Sequence, residues 1–491
     1  MNTHASPHAL PTSRPPAALA ALAAAALSCA SCKVGPDYKR PDVEVPGAFR
    51  GVTPADTGQP ELTSDWWTIF NDEELTKLET AALSSNFDIQ AAAARVVQAR
   101  ASTKAVMSQF YPVITLDPSI SRFRTSGNNG GQGSSTVTQT TVPFDLSYEV
   151  DVWGRVRRAV ESSKATSRAS AADFSVVLQT LTADLAQDYF NLRSFDAQDA
   201  ILQRSIDLYS HQLELTQTQY KAGIAGQIDV VQSQANLEAA RAQAIDIRRQ
   251  REDTVHAIAI LTGRPPSELD VALRPLDEPP PIVPAGLPSD LLGRRPDVAE
   301  AEQNLASACA SVGVAKANFY PVLRLTGTAG FESTSIAKTF DWESRIWSFG
   351  PSITMPIFEG GLLNAQLEQA KAKYDELLAT FRSTILGAFR DVEDSLTDLH
   401  MRSDAAEAQE RAIVSSREYL KLAETEYRGG LVSYLNVIDA DRTLLNNELV
   451  AAQILNQRYV STVLLIKALG GGWNPDDPDN DPRTQTANGP Q

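Results

Sequence analysis

Two cysteines near the N-terminus are the side chains best placed for covalent chemistry. Cys29 and Cys32 follow residues 17–28, an apolar run of twelve residues that is too short to span a bilayer. A weakly basic leader with Arg14 precedes the run. This pattern is typical of a secretory signal ending in a lipoprotein cleavage box. After cleavage the thiol would carry acyl chains, several of which are needed for stable anchoring, and either cysteine could be the acceptor.

No motif for enzymatic or metal chemistry accompanies them. The sequence contains no His-Glu-x-x-His, P-loop or Gly-x-Ser-x-Gly motif. Its histidines are scattered: His4, His8, His211, His256 and His400. The third cysteine, Cys309, lies between two alanines in a helical run, which predicts a small buried side chain. The sequence therefore predicts no enzyme, no metal site and no cofactor other than covalent lipid.

A further set of polar side chains alternates with apolar ones. Asp145, Glu149 and Asp151 occupy one face of such a pattern and apolar residues the other, which predicts a β-strand. The predicted strands are 113–124, 141–153, 322–332 and 347–357. They form two hairpins, one in each half of the chain.

Strands of this length in an exported, lipid-anchored chain match those of membrane β-barrels. A soluble antiparallel sheet with one wet face is the alternative. Four strands cannot close a barrel, since the smallest barrels have about eight, so several chains must contribute. Asp145, Glu149 and Asp151 would then face a water-filled, acidic lumen.

Long helices are predicted between the hairpins. Residues 154–220 and 361–427 contain no proline and would each reach about 100 Å at 1.5 Å per residue. Apolar residues at roughly heptad spacing predict coiled-coil packing. Return helices are expected over 228–262 and 433–469, and another helix over 73–109.

The landmarks occur twice at nearly one spacing, which indicates a duplicated unit. Phe-Tyr-Pro at 319–321 repeats 110–112, and Tyr427 with Gly430 repeats Tyr220 with Gly223, 207 residues earlier (427 − 220). The predicted segments are a signal peptide at 1–31, an extended lipid-anchored segment at 32–72, repeats at 73–273 and 291–473, a proline-rich linker at 274–290 and a disordered acidic tail at 474–491. The net charge of −16, without a basic run, excludes a nucleic-acid partner.

The chain resembles the TolC-like outer-membrane factors of tripartite efflux pumps, most closely their lipid-anchored OprM/NodT branch. The resemblance covers essentially the whole mature chain. It is carried by the Cys-Lys-Val-Gly-Pro-Asp-Tyr motif at 32–38, Trp66-Trp67 with Phe70, the two Phe-Tyr-Pro motifs, Asp-Val-Trp-Gly-Arg at 151–155, Gly-Leu-Pro-Ser-Asp-Leu-Leu at 286–292, Arg-Arg-Pro-Asp at 294–297 and Ala-Leu-Gly-Gly-Gly-Trp at 468–473. The first of these motifs favours Cys32 as the acylated residue.

The resemblance implies a mixed α and β fold with four membrane strands and long coiled-coil helices per chain. A homotrimer would form a twelve-stranded β-barrel in the outer membrane of a Gram-negative bacterium, continuous with an α-barrel in the periplasm. Its partners would be outer-membrane lipid, a periplasmic adaptor and an inner-membrane RND transporter. The duct would passively pass drugs or other small toxic compounds to the outside.

The resemblance also assigns roles to the helical turns. The periplasmic aperture would involve Asp229, Tyr427, Asn436, Asp439 and Arg442. Adaptor hairpins would dock at Gly223, Ile224, Gly430 and Leu431. We hypothesise that Asp439 and Arg442 form ion pairs between protomers that hold the aperture closed; a local helix ion pair is the alternative.

Two other functions remain open at this point. A lipid-anchored coiled-coil scaffold would explain the helices but not the polar strand faces. An exit duct for type I protein secretion would use the same architecture for a different cargo.

Overall fold

The computed structural model describes residues 33–50, 62–128, 134–284, 286 and 288–474. The predicted signal peptide, both N-terminal cysteines and the tail from residue 475 lie outside the described residues. The chain divides into two compact units. Unit 1 comprises the described parts of Met1–Lys39, Arg100–Thr166 and Asn304–Leu377. Unit 2 comprises the described parts of Arg40–Ala99, Ser167–Gln303 and Leu378–Gln491.

Unit 1 contains one antiparallel β-sheet. Its strands are β1 (Val113–Leu116), β2 (Ser119–Arg124), β3 (Thr136–Val150), β4 (Val322–Ser333) and β5 (Arg345–Thr354). β1 and β2 both pair with β3, β3 pairs with β4, and β4 pairs with β5. The predicted first strand is therefore broken at Asp117 and Pro118, because proline lacks the N–H that a strand ladder needs.

Strand ends also differ from the prediction. β3 ends at Val150, so the prediction that Asp151 is a strand residue is wrong. Its carboxylate accepts hydrogen bonds from the backbone N–H groups of Val156 (3.0 Å) and Arg157 (2.9 Å), in the first turn of the next helix. Asp151 thus satisfies donors that a helix start leaves unpaired. β5 ends at Thr354 rather than at 357.

The sheet has two chemically different faces, as the alternation predicted. Directly opposed residues of an antiparallel pair share a face, so the register assigns every strand residue. The apolar face includes Ile114, Leu116, Val142, Phe144, Leu146, Tyr148, Leu323, Leu325, Phe331, Trp347, Phe349 and Ile353. The polar face includes Thr115, Asp145, Ser147, Glu149, Arg324, Thr326, Thr328, Ser348 and Ser352. Large side chains of the apolar face are exposed, for example 82% of Trp347, so none of the described segments covers this face.

The N-terminal segment from residue 33 is fastened to unit 1 beside the end of β3. The N–H of Val34 donates to the carbonyl of Trp153 at 3.1 Å. Arg158, 1% exposed, donates to the carbonyls of Val34 and Gly35 and to the carboxylate of Asp37 at 3.2, 3.1 and 2.9 Å. The first residues of the segment predicted to be extended are thus held by a buried arginine.

Eight helices accompany the sheet within the described part of the chain. They are α1 (Glu73–Ser85), α2 (Phe87–Met107), α3 (Arg155–Lys221), α4 (Gln227–Leu261), α5 (Pro288–Arg294), α6 (Pro296–Ala317), α7 (Leu362–Arg428) and α8 (Tyr434–Ala468). α3 and α7 each have 67 residues, and α4 and α8 each have 35. A helix of 67 residues is about 100 Å long. Both pairs start 207 residues apart (362 − 155 and 434 − 227), so the duplication is reproduced in the four long helices.

The predicted helix over 73–109 is two helices. Asn86 separates α1 from α2 with extended backbone (ψ 133°). Its side-chain oxygen accepts from the N–H groups of Asp88 (2.7 Å) and Ile89 (3.1 Å), and its amide donates to the carbonyl of Leu261 at 2.9 Å. The capping bonds and the contact with the end of α4 stabilise a break that periodicity alone does not reveal.

The main core of unit 2 is aromatic. Phe190 of α3 packs against Tyr459 of α8 and against Phe70, with ring centroids 4.4 and 4.8 Å apart. Trp66 and Trp67 join this cluster from a short 3₁₀ helix over Trp66–Phe70. α8 is long and apolar enough, by length and composition alone, to cross a membrane, but its apolar residues in this region contribute to the core.

Two glycines mark equivalent ends of α4 and α8. Gly263 (φ +68°) and Gly470 (φ +104°) follow these helices in the left-handed region. A Cβ at Gly263 would lie 2.4 Å from the carbonyl oxygen of Ser85, and one at Gly470 would lie 2.2 Å from that of Arg294. Both positions therefore require glycine for backbone conformation and for close approach.

We expect Gly263→Ala and Gly470→Ala each to destabilise the protein by about 1 to 2 kcal/mol, because the added methyl group meets backbone and strains φ. Urea unfolding of the detergent-solubilised protein at a fixed protein concentration measures this. Gly387→Ala is the matched control, since nothing lies within 4 Å of a Cβ there and the residue is inside α7. Equal midpoints for all three variants would contradict the expectation.

Candidate functional site

The two turns between the long helices have the same geometry. Gly223 (φ +74°) follows α3 and Gly430 (φ +73°) follows α7. In the first turn the N–H of Ile224 donates to the carbonyl of Gln219 at 2.8 Å. In the second turn, the N–H of Leu431 donates to the carbonyl of Glu426 at 2.9 Å. These are helix-ending bonds in which a left-handed glycine lets the chain reverse direction.

Each turn presents an apolar tip. Ile224 is 77% exposed and Leu431 is 79% exposed. Nothing lies within 4 Å of a Cβ built at Gly223 or Gly430, so the backbone beside each tip is open. The four residues predicted to receive the adaptor thus form two equivalent surfaces, one at each turn. Each surface has one glycine and one exposed aliphatic side chain.

Asp229 and Asn436 occupy equivalent positions in the first turns of their return helices, offset by the same 207 residues (436 − 229). A carboxylate oxygen of Asp229 accepts from the N–H of Gly226 at 2.9 Å. The side-chain oxygen of Asn436 accepts from the hydroxyl of Ser433 at 3.0 Å. Asp229 therefore satisfies a backbone donor at the start of α4, whereas Asn436 bonds only the hydroxyl of the residue before α8. The first repeat has Gln232 at the position where the second has Asp439. The two turns therefore share their backbone geometry and differ in the charge of the side chains beside them.

Tyr427 joins the two helical hairpins. Its hydroxyl lies 3.2 Å from the side-chain oxygen of Gln219 on α3 and donates to it. Its ring centroid is 5.6 Å from that of Tyr434, which is buried, and burial raises the pKa of Tyr434. Tyr427 is thus a contact between repeats in one chain.

Asp439 and Arg442 are exposed on α8 and do not pair with each other. The carboxylate of Asp439 accepts a hydrogen bond from the hydroxyl of Tyr419 on α7 at 3.3 Å. Partial desolvation and the charge of Asp439 raise the pKa of Tyr419. No described carboxylate forms an ion pair with Arg442. The alternative of a local ion pair between Asp439 and Arg442 is therefore wrong.

Sequence reasoning missed Asp441, which lies between them. Asp441 is 7% exposed, and one of its carboxylate oxygens has no hydrogen-bond partner in the described part of the chain. Burial raises its pKa, hydrogen bonding from Tyr209 opposes this, and Glu424 and Glu448 add to the rise. The signal was present, because Asp441 follows the buried Ile438 by three residues and so lies on the buried face of α8.

The predicted lumen carboxylates have different surroundings. Asp145 lies on the polar face of the sheet and accepts a hydrogen bond from Thr328. Glu149 lies on the same face and forms two bonds with Arg155, at 2.8 and 3.0 Å. Asp151 pairs with Arg157 at 3.2 Å. Two of the three carboxylates are thus neutralised within the chain, and only two lie on a strand.

Cys309 lies in α6, where it is 4% exposed, as predicted for a small buried side chain. Burial raises the pKa of its thiol. Across the described residues, no three His, Cys, Asp or Glu side chains are grouped so as to hold a metal ion.

Comparisons with known proteins identify the family. Residues 78–264 and 287–471 match the sequence profile of one family, described as outer membrane efflux protein. The probable efflux pump outer membrane protein TtgC of Pseudomonas putida is 32% identical over 464 residues, covering 93% of this chain and 96% of the relative. The solved structure of the outer-membrane channel OprN has a TM-score of 0.84 at 32% identity, covering 90% of this chain and 100% of that one. That of the Campylobacter jejuni CmeC outer membrane channel has a TM-score of 0.87 at 25% identity, covering 94% and 99%. The chain belongs to the outer membrane efflux protein family, the TolC-like outer-membrane factors that its sequence predicted.

Proposed function

We propose that three copies of this chain form the exit duct of a tripartite RND-type efflux system. The duct passively passes drugs or other small toxic compounds from an inner-membrane transporter and a periplasmic adaptor to the outside of a Gram-negative cell. One observation carries the proposal: a sheet with an exposed apolar face and a polar face, in a chain with two helices of 67 residues each.

The edges of the sheet support the trimer. β3 and β4 have partners on both sides, whereas β1, β2 and β5 each have an unpaired side among the described residues. An open edge invites pairing with another chain. Copies joined head to tail, β5 of one to β1 and β2 of the next, close into a ring without free edges. Because β1 and β2 together occupy one position beside β3, each chain contributes four strand positions and three chains contribute twelve. In such a barrel the apolar face is directed toward lipid and the polar face toward a lumen.

The start of the described chain supports a lipid anchor on Cys32. Val34 is bonded to Trp153, three residues beyond the end of β3. Val34 is thus held at the end of the sheet from which the helices leave, which the proposed duct places at the level of the inner leaflet. Acyl chains on Cys32 could enter lipid there without stretching the chain.

A deletion strain tests the duct. We expect loss of the gene to increase susceptibility to some drugs, dyes, metals or aromatic solvents, and the wild-type chain to restore resistance. Purified protein should be a trimer with a continuous lumen by electron microscopy. A trimer without a lumen would favour a scaffold, and unchanged susceptibility with loss of a secreted protein would favour type I secretion.

We propose that Asp439 and Arg442 hold the periplasmic aperture closed through pairs with neighbouring protomers. Their exposure near the turn and the lack of a described ionic partner for Arg442 support this. An exposed ion pair contributes up to about 1 kcal/mol, and a ring has three sets of them. We therefore expect Asp439→Asn with Arg442→Gln to raise single-channel conductance in planar bilayers.

The matched control is Asp246→Asn with Arg249→Gln. These residues have the same spacing on α4 and are exposed, and they pair with each other at 3.0 Å. Unchanged conductance in the first double variant, or an equal rise in the control, would contradict the gate.

A further inference from the structure

The charges of the sheet are divided between its faces. Asp145, Glu149, Glu332 and Arg324 lie on the polar face. The apolar face of the five strands has three charged residues, all of them arginines: Arg122, Arg124 and Arg345. This face has no carboxylate within any of the strands, although the chain as a whole has a net charge of −16.

Each of the three arginines lies at the loop end of its own strand. Arg122 and Arg124 are the last two apolar-face positions of β2, and Arg345 is the first residue of β5. All three lie toward the hairpin loops, away from the strand ends that continue into helices. Within each strand the same face continues, away from the loop, with an exposed apolar side chain: Ile120 on β2 and Trp347 on β5.

Arg345 is positioned rather than free to move. Its Nε donates to the carbonyl of Trp342 at 2.6 Å, and its guanidinium lies 3.2 Å from the centroid of the Trp342 ring. Phe340 packs on Phe331, the strand residue opposite Arg345, at 5.6 Å between ring centroids. No described carboxylate pairs with Arg345, so its remaining N–H groups are available to an external acceptor.

We infer that these arginines and the aromatic residues beside them bind the phosphate groups of lipid A in the outer leaflet. The inference rests on the proposed function, which places the hairpin loops at the outer surface. Charge complementarity selects the occupant: guanidinium groups bind phosphate through paired, charge-assisted hydrogen bonds, and Trp342, Phe340 and Trp347 suit the boundary between headgroups and acyl chains. The arginines occupy only the loop end of the apolar face, as a phosphorylated glycolipid confined to one leaflet requires.

Binding of defined lipids to the purified full-length trimer tests this. Native mass spectrometry with diphosphoryl lipid A, with the same lipid lacking both phosphates, and with phosphatidylglycerol compares the three headgroups. We expect diphosphoryl lipid A to bind at least about tenfold more tightly than either of the others, because each Arg–phosphate contact is charge-assisted. Equal binding with and without phosphates, or equal binding of phosphatidylglycerol, would overturn the inference without using any variant.

The variant Arg122→Gln/Arg124→Gln/Arg345→Gln should lose the preference for phosphates. Arg324→Gln is the matched control, because Arg324 lies on the polar face of the same sheet. Single-channel conductance of the triple variant should equal that of the wild type, which separates loss of lipid binding from loss of the duct. A triple variant that conducts normally and retains full preference for diphosphoryl lipid A would refute the site while leaving the proposed function intact.

Discussion

Replacing Asp196 by asparagine is expected to destabilise the protein by about 3 to 5 kcal/mol, because it removes the buried carboxylate that two buried guanidinium groups share and leaves Arg251 paired only with the exposed Glu252. The side chain of Asp196 is 1% exposed. Its carboxylate accepts from Arg193 at 3.1 Å, from Arg251 at 2.7 Å and from the backbone N–H of Arg274 at 3.0 Å. The substitution keeps the volume and removes the charge. Urea unfolding of the detergent-solubilised protein, at one protein concentration because oligomer stability depends on it, measures the loss.

This carboxylate connects three segments of unit 2. Arg193 lies on α3 and Arg251 on α4, while Arg274 begins the proline-rich linker. Arg251 also donates to the carbonyl of Val271 at 2.6 Å. We therefore expect Asp196→Asn to make the linker a site of early proteolytic cleavage as well as lowering the unfolding midpoint.

Asp199→Asn is the control for this prediction. Asp199 also lies on α3 and pairs with an arginine of α4, Arg248, at 3.0 Å, but that arginine is 53% exposed. Solvent screens such a pair, so a loss below about 1 kcal/mol is expected. If Asp196→Asn and Asp199→Asn lower the free energy of unfolding by similar amounts, burial does not determine how much each ion pair contributes to stability.

The helices and strand faces could be predicted from the sequence, because local chemistry determines them. A long stretch without proline and a left-handed glycine after it define α3 and α7, and alternation defines the faces of β3. Pro118 was an equally local signal for the break between β1 and β2. Pro118 has no N–H to donate to β3, so the pairing with β3 is interrupted between β1 and β2.

Other features depend on residues distant in sequence and could not be predicted. Asn86 ends α1 because the carbonyl of Leu261 is beside it. The burial of Asp196 depends on Arg251 and on the linker backbone. For the turns, the resemblance supplied the candidate residues, and the structure added that Asp229 caps a backbone N–H at the start of α4.

Replacing Glu79 by methionine is expected to stabilise the protein at neutral pH by about 2 to 3 kcal/mol, since a buried polar group without a partner carries its full desolvation cost. Glu79 is on the buried face of α1, with Leu75, Leu78 and Ala82, and is 0% exposed. Neither carboxylate oxygen has a hydrogen-bond partner among the described residues. Methionine has a similar length and adapts to irregular core space.

The same group predicts how stability varies with pH. Burial raises the pKa of Glu79 well above its usual value. The folded state therefore keeps a proton that the unfolded chain releases above its ordinary pKa of about 4.3. The contribution of Glu79 to stability is fully present below that pH and is lost as the pH rises toward the folded pKa. Glu79→Gln, which cannot titrate, should remove this part of the pH dependence.

Urea unfolding of wild type, Glu79→Met and Glu79→Gln from pH 4.5 to 8 measures both effects. Glu73→Met is the matched control, because Glu73 is exposed in the first turn of the same helix, where a carboxylate contributes at most about 1 kcal/mol. A wild-type curve parallel to that of Glu79→Gln would show that the Glu79 carboxyl is solvated or paired in the assembled trimer. In that case the trimer itself, and not the fold of one chain, would supply the missing partner.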